Sequence, residues 1–103
     1  MNSVVLVGRI IDIQREKDEE GNVKELVITI AIPRNYKNGD GIYDTDTVPV
    51  IIKSILAGGV DTYCKFNDVV GIKAKITRLK GKELEIVAER VSYLSSGKEN
   101  RER

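Results

Sequence analysis

Arg34, Tyr36, Lys37 and Tyr43 interleave cations with aromatic rings inside one short polar stretch, RNYKNGDGIYDT. A base stacked on an exposed aromatic face is held by about 1–3 kcal/mol with little regard to its identity. Arginine and lysine beside such rings supply charge for phosphate. The combination suits a flexible, unpaired nucleic acid strand; the alternative is that both tyrosines pack against their own hairpin. Lys73 and Lys75, continued by Arg78 and Lys80, form a second row with no acid among them. This row could track phosphates or be an ordinary solvated face. Arg9 and Lys53 complete the set of candidate nucleic-acid-binding cations.

Enzymatic chemistry has little to work with. The 103-residue chain has no histidine, which removes the commonest general base and metal ligand. Its single cysteine, Cys64, cannot build a zinc site or an internal disulfide, and it is compatible with a reducing compartment. The glycines form neither a P-loop nor a dinucleotide fingerprint. Asp44 and Asp46 share one strand face, a pattern open to a divalent cation or, more simply, to a solvated strand entry. The residues describe a binding module, with no catalytic group, cofactor or metal expected.

The elements that must position these side chains follow from the apolar pattern. Leu26, Ile28, Ile30 and Ile32 alternate with Val27, Thr29, Ala31 and Pro33, and Val48, Val50 and Ile52 alternate with Thr47, Pro49, Ile51 and Lys53. Period two with β-branched residues predicts two half-buried strands, here a long hairpin whose polar loop carries the tyrosines. Pro49 cannot donate to a sheet ladder, so the third strand is expected to be an edge or bulged there. Residues 4–13 form a first strand apolar on both faces, as in a central strand or a subunit interface. Gly8 within it predicts a bend or a close backbone approach. The charged stretch around Gly21 and Asn22 is a solvated turn. Leu56, Val60, Tyr63 and Cys64 fall at helical spacing across residues 54–66, with Ser54 as the candidate cap. Residues 69–79 and 84–94 form the last two strands. Gly81 and Lys82 are read as a two-residue turn that sets Lys80 against Glu83, Arg78 against Glu85 and Leu79 against Leu84.

Length and composition fit one globular domain, residues 1–95, followed by a disordered polar tail, 96–103. A net charge of +1 names no partner, but acids gather in residues 12–25 while residues 73–82 are purely basic, so one positive surface is available. No secretory leader or membrane span is expected, which implies a cytoplasmic, nucleoid-associated protein. Five strands with a short helix between the third and fourth read as an all-β OB-fold, a five-stranded Greek-key barrel. An SH3-like barrel competes less well, because it rarely carries such a helix.

Several segments resemble bacterial single-stranded DNA-binding proteins: VVLVGRI at 4–10, the spacing of 31–46, LAGGVDTYCKFNDVVGIKAKI at 56–76 and IVAERVSYL at 86–94. The resemblance implies an OB-fold, a homo-oligomer (dimer or tetramer) paired through the first strand, and single-stranded DNA lying over aromatics and cations. It implies that Tyr36 occupies a stacking position flanked by Arg34 and Lys37. Thr47 and Lys53 stand where the family often has aromatics. The loop between the last two strands is short, and the family's long extension with an acidic, phenylalanine-containing tip, which recruits replication and repair proteins, is expected to be missing. These departures imply weaker, more salt-dependent binding. They also resemble the primosomal replication protein n, which has a Pro-Val-Ile strand like Pro49-Val50-Ile51. The expected role is therefore to coat or protect single strands during replication, recombination or repair. The alternatives are a primosome-like protein-interaction module with weak DNA binding, or an OB domain for structured RNA.

Overall fold

The alternation at Leu26, Ile28 and Ile30 dictates the architecture, since one set of side chains needs an interior and the other tolerates water. In the computed structural model, which describes residues 1–97, these three residues are buried, while Val27, Thr29 and Ala31 are half-exposed. The expected tail lies almost wholly outside the described residues. The elements are β1 (Val4–Lys17), β2 (Val23–Lys37), β3 (Tyr43–Ile52), α1 (Ser54–Tyr63), β4 (Val69–Thr77) and β5 (Glu85–Ser95). The strands close into a barrel in the order β1-β2-β3-β5-β4, with β4 pairing back to β1. Every pairing is antiparallel except β3–β5, which is parallel and rests on Ile51 opposite Val87. This is the expected OB-fold.

The core joins Ile10, Leu26, Ile28, Ile30, Val50, Ile52, Val70 and Ile72 from four strands. Each such side chain contributes about 1.5–3 kcal/mol relative to exposure. Helix α1 closes the barrel with Ala57 and Val60 on one face, and Cys64, just past its end, reaches the same cluster. Burial raises the Cys64 thiol pKa above its ordinary value, and the nearby Asp68 carboxylate adds to the effect.

Both long hairpins close by one device. The Asp18 carboxylate accepts the backbone N–H groups of Glu20 at 2.9 Å and Asn22 at 3.0 Å. The Asn38 side-chain oxygen accepts those of Asp40 at 2.8 Å and Ile42 at 3.1 Å. Gly21 and Gly41 take φ of 86° and 78° in these turns, a region that favours glycine. Because the turns are so tight, the strands run further toward the tips than the polar composition suggests.

Several local expectations change in three dimensions. A bulge between Ile10 and Asp12 turns Ile11 outward and lets Ile13 rejoin the core, so β1 does not keep one parity throughout. Its outer face, Val5 and Val7, is exposed in the single chain. Ser54 is the first helical residue rather than the cap. Lys53 holds the cap position without a side-chain bond, and Tyr63 faces out at 75% exposure. Ile76 is exposed rather than inward, because β4 is leaving the barrel there.

The β4–β5 hairpin is not the expected two-residue turn. A bulge between Lys73 and Ala74 shifts the register, Thr77 faces Glu85, and residues 78–84 form a loop closed by Lys82 N–H to the Leu79 carbonyl at 2.9 Å. The expected pairing of Arg78 with Glu85 and Lys80 with Glu83 is therefore not made. At Pro49 the edge reading is the observed one. The β2–β3 register passes Thr29–Pro49 without a shift, and the other side of β3 touches β5 only beyond it.

Candidate nucleic-acid interface

The outward row of the β2–β3 hairpin forms an open strip. Val27 pairs with Ile51, Thr29 with Pro49, Ala31 with Thr47 and Pro33 with Thr45. At about 3.3 Å per residue, the strip from Ile51 to Thr45 runs about 20 Å. At the Ile51 end, the 78–84 loop stands over it and makes an apolar groove. Val27, Pro49, Ile51, Ile76 and Ile86 line this groove with Leu79 and Leu84, and Lys82, Glu83 and Glu85 complete the lining. Leu79 and Leu84 are 75% and 64% exposed, so the groove opens to solvent.

At the other end the hairpin projects beyond the core as an arm. Tyr36 and Tyr43 are 64% and 52% exposed. Lys37 pairs across the strands with Tyr43, and its ammonium sits 5.7 Å from the centroid of that ring. Arg34 is held by Asp46: Nη2 donates to Oδ1 at 2.9 Å, and Nε lies 3.3 Å from both carboxylate oxygens. The bond and charge of Asp46 raise the Arg34 pKa, and the bond from Arg34 lowers that of Asp46. The pair is thus intact at neutral pH and is lost only as pH falls below the ordinary carboxylate range. Asp44 accepts from the Asn38 amide at 3.0 Å. Among the described residues no cluster of three or more acids, cysteines or histidines could hold a metal ion.

The structure separates some residues that the sequence sets side by side. Strand alternation places Tyr43 with Thr45 and Thr47 on the outer strip. Arg34 and Asp46 lie on the face that continues from Ile32 and Val48. The strand pairing slips by two residues between Pro33 and Lys37, so Tyr36 sits in the irregular stretch of β2 between two regular pairs. Lys53 closes β3 and donates to Glu25 at 3.2 Å. Arg9 pairs laterally with Ala31, but its guanidinium donates to the Asn67 carbonyl at 2.7 Å and is partly buried.

The basic row also divides. Lys75 lies opposite Val87, which itself faces Ile51, so Lys75 flanks the strip. Arg78 and Lys80 ride on the loop over the groove. Lys73 shares the outward face of β4 with Lys75 but lies further from the strip, between Val5 and Arg90. The aliphatic groove itself is absent from the sequence-based candidates. Its advance signals were the outward-facing Val27 and Ile51 and the expected pairing of Leu79 with Leu84 beside a turn.

A closed barrel of this order, with an open β2–β3 strip and a loop between the last two strands above it, defines an OB-fold binding protein. The comparisons carry this further. The chain is 31% identical over 104 residues to single-stranded DNA-binding protein 3 of Listeria innocua, covering 93% of this chain and 65% of the relative. A mitochondrial single-stranded DNA-binding protein of S. cerevisiae shares the fold at a TM-score of 0.70 and 18% identity, over 92% of this chain and 95% of that one. A Plasmodium falciparum protein solved in complex with single-stranded DNA gives 0.69 at 13% identity, over 92% and 96%. A small Mycoplasma pneumoniae single-stranded DNA-binding protein gives 0.64 at 19%, over 88% and 84%. No family model matches the chain. The chain is thus similar in sequence to a single-stranded DNA-binding protein and shares the fold of several others. It spans 65% of the length of the curated relative.

Proposed function

We propose that this protein binds single-stranded DNA with little sequence preference and coats or protects it during replication, recombination or repair. The projecting arm carries the reading: two exposed tyrosines interleaved with cations, at the end of an open strip on a barrel shared with such proteins. Stacking on Tyr36 and Tyr43 supplies contacts that tolerate any base. Lys37, Lys75, Arg78 and Lys80 supply phosphate contacts, joined by Lys53 and Arg34 where the strand displaces their carboxylate partners. Arg9 and Lys73 lie toward the margins of this path. The groove under Leu79 and Leu84 takes the apolar faces of bases that leave the stack. No step of this function is catalytic.

The same reading includes a homo-oligomer joined through the exposed outer face of β1, encounters with replication proteins, and a cytoplasmic, nucleoid-associated location. Among the described residues no helix is long and apolar enough to cross a membrane.

The test is fluorescence anisotropy with labelled oligo-dT and a matched duplex at two salt concentrations. Tighter binding to oligo-dT than to duplex, weakening with salt, is the expected result. Absence of binding to either overturns the reading and leaves a protein-interaction module. A preference for structured RNA over oligo-dT overturns the choice of DNA.

A further inference from the structure

The arm proposed to meet a polyanion carries more acids than cations. Between Pro33 and Thr47 stand Arg34 and Lys37 against Asp40, Asp44 and Asp46. These acids are not equivalent. Asp44 is engaged by the neutral Asn38 amide, and Lys37 lies over the Tyr43 ring. Arg34 alone of the two arm cations is held by a carboxylate, in a fork that uses Nε and Nη2. That fork is the geometry a guanidinium presents to the two free oxygens of a phosphodiester. Asp46 therefore occupies, within the chain, the place a backbone phosphate would take.

We propose that Asp46 is a built-in competitor for phosphate at Arg34. The strand displaces this carboxylate to reach the guanidinium, and Asp46 thereby tunes both affinity and salt dependence. The inference rests on the single-strand-binding function proposed above. Both side chains are substantially exposed, so the pair is weak enough to exchange. While paired, the two groups bring no net charge to the strand. Removing Asp46 leaves one uncompensated cation on the arm face behind the strip, which a strand reaches by wrapping round the arm.

Oligo-dT titrations across a salt series, with the intact chain and Asp46→Asn, Asp44→Asn, Arg34→Ala and Arg34→Ala/Asp46→Asn variants, test the idea. Asp46→Asn is expected to bind severalfold tighter than the parent. Because the parent makes the same phosphate contact once Asp46 is displaced, the variant's slope of log affinity on log salt should change by less than about 0.7, the value of one whole phosphate contact on a single strand. Asp44→Asn, which removes the same charge two residues away, should change both quantities less. In the Arg34→Ala background the Asp46 substitution should lose most of its effect. An equal gain from Asp44→Asn, or a gain that survives without Arg34, overturns the competitor role while leaving single-strand binding intact. Failure of both the parent chain and Asp46→Asn to bind any oligo-dT overturns the parent function and this inference with it.

Discussion

Tyr36 is the residue on which the proposed role of the arm most depends, because its ring is open to solvent in the irregular stretch between Pro33 and Lys37. Truncation to alanine should cost about 1–3 kcal/mol of oligo-dT affinity, the worth of one base stack. Stability should move by less than about 0.5 kcal/mol, as for most surface substitutions. Anisotropy titration and thermal unfolding of the same variant check both halves. Unchanged affinity would remove Tyr36 from the interface. This residue was legible in the sequence because aromatic and cationic types in a polar loop stand out locally. The Arg34–Asp46 fork was not, because it joins residues from two strands whose facing depends on register.

At the scale of elements, Gly8 explains how β1 and β2 approach so closely. A Cβ added there would lie 2.8 Å from the Ala31 carbonyl oxygen, 3.0 Å from Ile32 Cγ1 and 3.2 Å from Ile30 Cβ. The nearest atom is backbone in a paired strand and cannot swing aside. Gly8→Ala should therefore destabilise the fold by about 1–3 kcal/mol, the usual range for overpacking. Urea unfolding measures it, and an unchanged midpoint would contradict the close approach. The sequence predicted a bend or a close backbone approach at Gly8, and the close approach is the observed one.

The hairpin tips show the limits of such reading. Polar composition suggested long loops, yet the side chains of Asp18 and Asn38 cap turns tight enough to carry the strands to their ends. Between β4 and β5 the reverse holds. A bulge at Glu89 moves the register by one residue, so the expected cross-strand charge pairs give way to a loop.

At the scale of the molecule, the Cα radius of gyration is 14.9 Å, against about 13 Å for a compact chain of this size. Two hairpin arms reaching past the core account for the excess, since residues 14–22 and 33–47 are almost all exposed or partly so. The outer face of β1 is a second unspent surface. Val5 and Val7 are 74% and 52% exposed, and Leu94 lies over Gly71 beside them. If this face joins copies of the chain, sedimentation should show a dimer or tetramer at micromolar concentration. Val7→Lys should shift it to monomer while leaving the unfolding temperature of the single chain nearly unchanged, because the side chain faces out. A monomeric parent would remove the interface.

By itself the sequence determined the strands, the helix and the closed barrel, because alternation and helical spacing are local patterns that leave few ways to bury one face. It also determined the candidate aromatics and cations by type. Only the tertiary structure decided which of them share a surface. The apolar groove draws on β2, β3, the 78–84 loop and the adjoining ends of β4 and β5, and no local pattern could assemble it. Bulges in β1 and β5 each change which side chains share a face, and the two extra residues of β2 between Pro33 and Lys37 take Tyr36 out of the regular register. Because strand side chains alternate with a period of two, one inserted residue reverses every assignment that follows it.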